Sequence, residues 1–276
     1  MGVFLYVFLG LLMGTPSWGQ AIPLEFSEPQ GKFQAVSEQF PKFVSVFGVA
    51  VIATRDTPDD KVLHTAAVLA QYLDNDEDGV VDNKLVAQHL TNRNAFMLLA
   101  RTEAFFRRFD FQVLERADLH AGQSQFATET NPGGRRFDAT LEEVLHLVTD
   151  YGYGKAYPSV FGRGRKSELA KCLNRARGGY FREVPQRYPQ DAWFTYDDRT
   201  CNYKCQLTEY LYWAITSVLG AQKAPWRAAE IRHEWRLSTP ELVAKHDPWI
   251  HRLITDPKYQ FPSKIPNGRY GEQNGL

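Results

Sequence analysis

The chain has 276 residues, 43% of them hydrophobic, enough apolar material for one large domain or two small ones, which excludes disorder as the overall state. Lys plus Arg and Asp plus Glu both number 32, so the formal charge is zero. That balance removes the electrostatic footprint of a general nucleic-acid binder and gives no attraction to an anionic membrane.

In chain order, Val3 to Met13 is a short apolar run followed by "GTPSWGQA", where Ser17 and Gly19 are small enough for signal cleavage. A bilayer span needs about 20 apolar residues, so the run predicts a signal peptide over 1–19 and a secreted, extracellular mature chain with no membrane attachment. Residues 20–42 read as an irregular segment. "KFVSVFGVAVIAT", 42–54, is β-branched and aromatic and predicts one or two strands. "TPDDKVLHTAAVLAQYLD" predicts a helix with Thr57 as N-cap and Pro58 at the first helical position. The acidic loop "DNDEDGVVDN" ends it, and a second helix is expected from about Asn83.

"NAFMLLAR" and "FDFQVLERADLHAG" read as strand material, and "TNPGGRRFD" as a loop. A helix over 140–150 should stop at Gly152 and Gly154. Further helices are expected in "KSELAKCLNRARGG", in the apolar "CQLTEYLYWAITSVLGA" and as a pair in "STPELVAKHDPWIHRLIT". Strands come early and helices dominate later, which predicts an α+β fold, mainly helical with a small early sheet. The expected organisation is one domain over 43–255, followed by an irregular tail, 256–276, with little packing power. Of the three cysteines, Cys201 and Cys205 are close enough to close a small disulfide loop, leaving Cys172 over.

In the acidic loop, Asp74, Asp76 and Asp78 alternate, Gly79 stands sixth and Asp82 ninth. This resembles the calcium loop of EF-hand proteins, which implies Ca2+ held by Asp74, Asp76, Asp78, the Val80 carbonyl and Asp82 over residues 74–85. Leu85 departs from the twelfth-position Glu. Such a loop is expected to hold its two flanking helices together.

In "TLEEVLHLVT", 140–149, a helical wheel gathers Leu141, Val144, Leu145 and Val148 on one face and Glu142, Glu143, His146 and Asp150 opposite. Periodicity alone describes an ordinary solvated face. The spacing is also that of zinc hydrolases, where ligands at i and i+4 share a metal and the residue after the first is a proton-accepting carboxylate. The helix resembles the active-site helix of zincin-type metallopeptidases, with Glu142 where a His is usual. The resemblance implies Glu142 and His146 as ligands to Zn2+ or another divalent transition metal, and Glu143 as general base.

Glu209 is the only charged side chain between Cys205 and Gln222, in a helix too apolar to be wholly exposed. An unpaired buried carboxylate costs several kcal/mol, so Glu209 is the candidate third ligand, matching the gluzincin branch by resemblance. Tyr151 and Tyr153 are candidates to stabilise an oxyanion or, alternatively, aromatic packing; His64 and His120 are weaker ligand candidates, and His233, His246 and His251 look solvated. Two readings follow: a secreted metal-dependent hydrolase, zincin-like and acting on peptide or protein substrates, or a non-catalytic secreted calcium-binding protein of an extracellular matrix.

Overall fold

The computed structural model describes residues 20–272, so the signal peptide expected at 1–19 lies outside the described residues. The fold is α+β: a four-stranded sheet near the N-terminus and eleven helices among the described residues. None of these helices is long and apolar enough to cross a membrane. Strands β1 (Lys42–Val46) and β2 (Val49–Ala53) form a hairpin through Phe47 and Gly48, both in the left-handed region at φ 49° and 81°. That pair of dihedrals suits the right-handed twist of the flanking strands. A bulky Phe at positive φ is costly, and its ring is held against Tyr270.

Helices α1 (Asp59–Leu73) and α2 (Lys84–Thr91) then cross to β3 (Phe96–Ala100), which lies parallel to β2. Thr57 does not cap α1: its hydroxyl is bonded to Thr54, and Pro58 takes the cap position without a side-chain hydrogen bond. Asn83 does cap α2, accepting from the Val86 amide.

A short helix, α3 (Glu103–Phe106), follows β3, and the stretch read as strand, 109–122, holds a second, α4 (Gln112–Arg116). Phe105 and Phe106 of α3 and Phe109 between the two are half-buried against one face of the sheet, with Phe33, Phe40 and Leu114, so aromatic content here marks a cover and not a strand. The fourth strand, β4 (Gly122–Phe126), is parallel to β3 at the edge. Its polar alternation hid it, whereas β2 and β3 are buried on both faces and read as continuous apolar runs.

The larger core lies on the opposite face, where Val44, Val51, Met97 and Leu99 meet the helices. Helix α5 (Thr140–Leu147) runs directly into a π-helical turn (Val148–Tyr153) and then the short α6 (Gly154–Ala156). The expected stop at Gly152 does not occur. A Cβ there would stand 2.7 Å from the Val86 methyl, so this glycine lets α2 approach and does not end the helix.

Helices α7 (Glu168–Ala176) and α8 (Tyr203–Val218) are followed by α9 (Pro225–Ile231), absent from the sequence reading, and the pair α10 (Pro240–His246) and α11 (Pro248–Thr255). Cys201 and Cys205 are disulfide-bonded at the start of α8, and Cys172 is a free, buried thiol whose pKa burial pushes up to about 12. The C-terminal tail packs more than its composition suggests. Tyr259 and Tyr270 are buried, and Phe261 stacks on Tyr153 with ring centres 3.9 Å apart.

Asp247 ties α8 to α11. Its carboxylate accepts from Tyr210 Oη at 2.6 Å, Trp193 Nε1 at 2.9 Å and the Ile250 amide at 3.4 Å. Asp247→Ala leaves all three donors without their acceptor, an expected cost of about 2–4 kcal/mol. Urea unfolding should show this as a lower midpoint with an unchanged slope.

Candidate metal centre

The polar face of α5 is not solvated. Helix α8 packs across it, leaving His146 6% and Glu209 8% exposed. Three contacts fix the helix first: Tyr72 Oη donates to the Leu141 carbonyl at 2.8 Å, Gln125 Nε2 to Thr140 Oγ1 at 2.7 Å, and Thr149 Oγ1 to the Leu145 carbonyl at 2.8 Å. At the far end, Asn202 caps α8 and holds its first turn beside the disulfide.

Between the two helices, Glu142, His146 and Glu209 each place one ligating atom within 4.8 Å of the others. His146 Nε2 lies 3.6 Å from Glu209 Oε2, and both atoms are buried without a hydrogen-bond partner. Two ligands on a tetrahedral zinc stand roughly 3.3 Å apart, so this spacing fits atoms that share an ion better than atoms that bond each other. Buried polar atoms are almost always partnered, which makes the orphaned pair informative.

The electrostatics agree. Burial lowers the proton affinity of His146, but Glu209, Glu143 and Glu142 outweigh it and push the imidazole pKa up to about 10. Burial pushes Glu209 up to about 8, with His146 opposing and Glu142 and Glu143 adding to the rise. Burial likewise raises Glu142. Three carboxylates around one imidazole leave a buried excess of negative charge, which a divalent cation would balance. By contrast, Asp150 on the same face is fully engaged, by Arg163 Nη1 at 2.5 Å and Thr208 Oγ1 at 2.7 Å.

Glu143 stands apart from the triad. Its Oε2 accepts from Gln123 Nε2 on β4 and lies 3.8 Å from His146 Nδ1. It is half-buried. Glu142 has its own support: Tyr212 beside it opposes the rise that burial imposes on its pKa, and Tyr212 accepts from Gln222 at 3.3 Å and from Arg227 at 3.5 Å. Arg227 is itself buried over the Phe137 ring. Tyr212 follows Glu209 by three residues on one helix face, a spacing visible in the sequence. Nothing local marks Gln123 or Arg227.

Other candidates separate from this point. Tyr153 donates to the Gln260 carbonyl at 2.9 Å and Tyr151 to the His120 carbonyl at 3.3 Å, so both hydroxyls already serve packing contacts. His64 is paired with Asp138 at 2.6 Å, and His120 with Asp118 at 3.0 Å. His233, exposed as expected, joins Asp197 and Glu234 in a second group with metal-ligating reach.

In the acidic loop, Asp74, Asp76 and Asp78 converge in the same sense. Asp74 is buried and accepts from the Asp78 amide at 3.1 Å, the Gly79 amide at 2.8 Å and the Tyr270 hydroxyl. Asp82 accepts from the Asn75 amide at 2.8 Å, and its pKa is raised by burial and by the three neighbouring carboxylates. The Val80 side chain points to solvent, as does Leu85. The C-terminal tail closes on the loop, the Gly271 amide donating to Glu77 Oε2 at 2.9 Å.

No protein-family model, curated protein or solved structure matches this chain.

Gly79 has φ +84°, and a Cβ there would lie 2.1 Å from the Gln20 carbonyl oxygen. Gly79→Ala therefore combines left-handed strain with a backbone collision, at an expected cost of about 1–3 kcal/mol. Thermal unfolding should report it as a lower Tm.

Proposed function

We propose that the chain is a secreted metal-dependent hydrolase, a peptidase of zincin-like type, in which Glu142, His146 and Glu209 hold Zn2+ or another divalent transition metal. The observation that carries this reading is the orphaned buried pair, His146 Nε2 and Glu209 Oε2, 3.6 Å apart with Glu142 beside them. The donor set fits: one imidazole and two carboxylates are competent ligands, though harder than two histidines and a Glu, so metals beyond zinc compete for the site.

The ion, when bound, supplies Lewis acidity that polarises a carbonyl group and favours attack by water. Glu143 Oε2 is the base that takes the proton from that water and returns it to the leaving amine. Gln123 fixes this carboxylate through its hydrogen bond from β4. Tyr212 and Arg227 hold Glu142 in its ligating position and offset part of its charge. Substrates are extracellular peptides or proteins, in keeping with the expected signal peptide.

Metal analysis of purified protein alongside Glu143→Gln tests the reading. We expect about one equivalent of transition metal in both proteins, and peptide hydrolysis reduced by about 10²–10⁴-fold in the variant. Calcium alone, with no hydrolysis by the parent protein, would instead favour the second reading, a non-catalytic calcium-binding protein of the extracellular matrix. The feature favouring that reading is the acidic loop.

We also propose that the loop binds Ca2+ and braces α1 against α2. A ligand present at 100 times its Kd stabilises the state that binds it by about 2.7 kcal/mol. Adding Ca2+ to chelator-treated protein should therefore raise Tm by several degrees. The double variant Asp76→Asn, Asp78→Asn should lose that response.

A further inference from the structure

The irregular segment between α7 and α8 and the turn after α9 line an open cavity of about 560 Å3. Its lining carries Arg187, Arg199, Arg236 and His233 against Asp197, with Glu234 close behind Asp197 and His233. None of the three guanidiniums is ion-paired among the described residues, and the nearest partner of Asp197 is His233 at 4.0 Å.

A fourth guanidinium stands behind the wall. Arg177 is fully buried, with Nε and Nη1 unpartnered, and its one hydrogen bond runs to the Glu183 carbonyl at 3.2 Å. It packs between Phe181, 5.1 Å from its ring centre, and Tyr188, 6.0 Å away, and Tyr188 lines the cavity. Positive charge with little compensation thus accumulates in a formally neutral protein.

The wall reaches towards the centre through packing: Phe194, beside Thr195 of the wall, meets Tyr210, the neighbour of Glu209 on α8, with ring centres 5.6 Å apart. Tyr196, between Thr195 and Asp197, has its phenol pKa raised by burial and then by Glu209, Glu234 and Glu142. The two wall segments are clamped together: Phe194 bridges Trp235, the Thr195 amide donates to the Glu234 carbonyl at 2.6 Å, and Thr195 Oγ1 to the His233 carbonyl at 2.5 Å. A group seated among these arginines is therefore held in fixed relation to the metal ligands.

We propose that this cavity is an acidic-residue subsite, taking a Glu or Asp side chain of the bound peptide, so that the substrates of the centre are acidic polypeptides. The proposal rests on the hydrolase reading for the word substrate. Planar guanidiniums match carboxylates through paired hydrogen bonds, and flexible arginines around a wet cavity can close on one. A peptide is favoured over a sulfated glycan because Tyr188, Pro185 and Pro189 give the walls an apolar share and the volume admits one or two side chains, not a run of charged sugars.

The test separates binding from chemistry. Full-length, metal-loaded Glu143→Gln protein is titrated into fluorescein-labelled peptides of equal length that are Glu-rich, Ser/Gly-rich or Lys-rich, and anisotropy is read. The Glu-rich peptide should bind at least about tenfold tighter than the neutral one, with the advantage shrinking as salt is raised. Adding Arg187→Glu and Arg199→Glu, both exposed, should abolish that advantage and favour the Lys-rich peptide; circular dichroism and Tm confirm that this protein is folded. Equal binding of acidic and neutral peptides, an advantage that survives the double substitution, or heparin binding without acidic-peptide binding would each overturn the subsite. Hydrolysis of the same peptides by metal-loaded parent protein is measured in parallel. Acid-selective binding without turnover of any peptide would sink the hydrolase reading alone and leave the anionic subsite standing.

Discussion

The structure depends on one electrostatic constraint, the burial of carboxylates between α5 and α8. A helix face bearing Glu142, Glu143, His146 and Asp150 would ordinarily face water, where each charge is solvated at no cost. Here α8 covers it with an apolar surface that includes a carboxylate of its own. Asp150 is satisfied by Arg163 and Thr208, but among the described residues no lysine or arginine pairs with Glu209. A fold that carries such a group must neutralise it by proton or by cation, and the arrangement of ligating atoms suits a cation.

That constraint explains several otherwise separate features. The π-helical turn after α5 adds a residue to the turn and resets the face that the chain presents, so that Tyr153 meets the C-terminal tail while His146 still faces α8. Gly152, within this turn, admits Val86 of α2 at a distance no side chain could share. On the other flank, β4 turns Gln123 and Gln125 towards α5, one to Glu143 and the other to Thr140, using the two-residue period of a strand to fasten both the start and the middle of the helix. Polar residues on an edge strand serve here as the seating of a helix.

Much of this was legible in the sequence, for physical reasons that differ by residue. Glu142 and His146 are one helical turn apart, and any helix brings such residues to a common face. Glu209 was conspicuous because charge is rare in an apolar run. The strands over 42–54, the start of α2 near Asn83 and the disulfide are local, and local rules reach them, whereas the cap expected at Thr57 is lost to its bond with Thr54. Gln123 and Arg227 were hidden because their roles depend on partners 20 and 15 residues away, whose approach is decided by packing. The stretch before β4 misled because aromatic residues cover a sheet as readily as they form one. The tail looked weak because its prolines and glycines outnumber its aromatics, yet Tyr259, Phe261 and Tyr270 find prepared sites.

The closure of that tail on the acidic loop has a topological consequence. Ala21 and Gly271 lie side by side: a Cβ built on Gly271 would stand 2.9 Å from that of Ala21, and both border the loop through Gln20, Gly79 and Glu77. The path of the described chain is thus nearly a ring, with the acidic loop as its clasp. A ring joined at 21 and 271 by a few residues could be cut open elsewhere, at an exposed turn, and keep every contact described above. Conversely, a mechanical load carried by a fusion at either end would reach the clasp before it reached the helices around Glu209, so the loop, and not the centre, is where this fold would first be pulled apart.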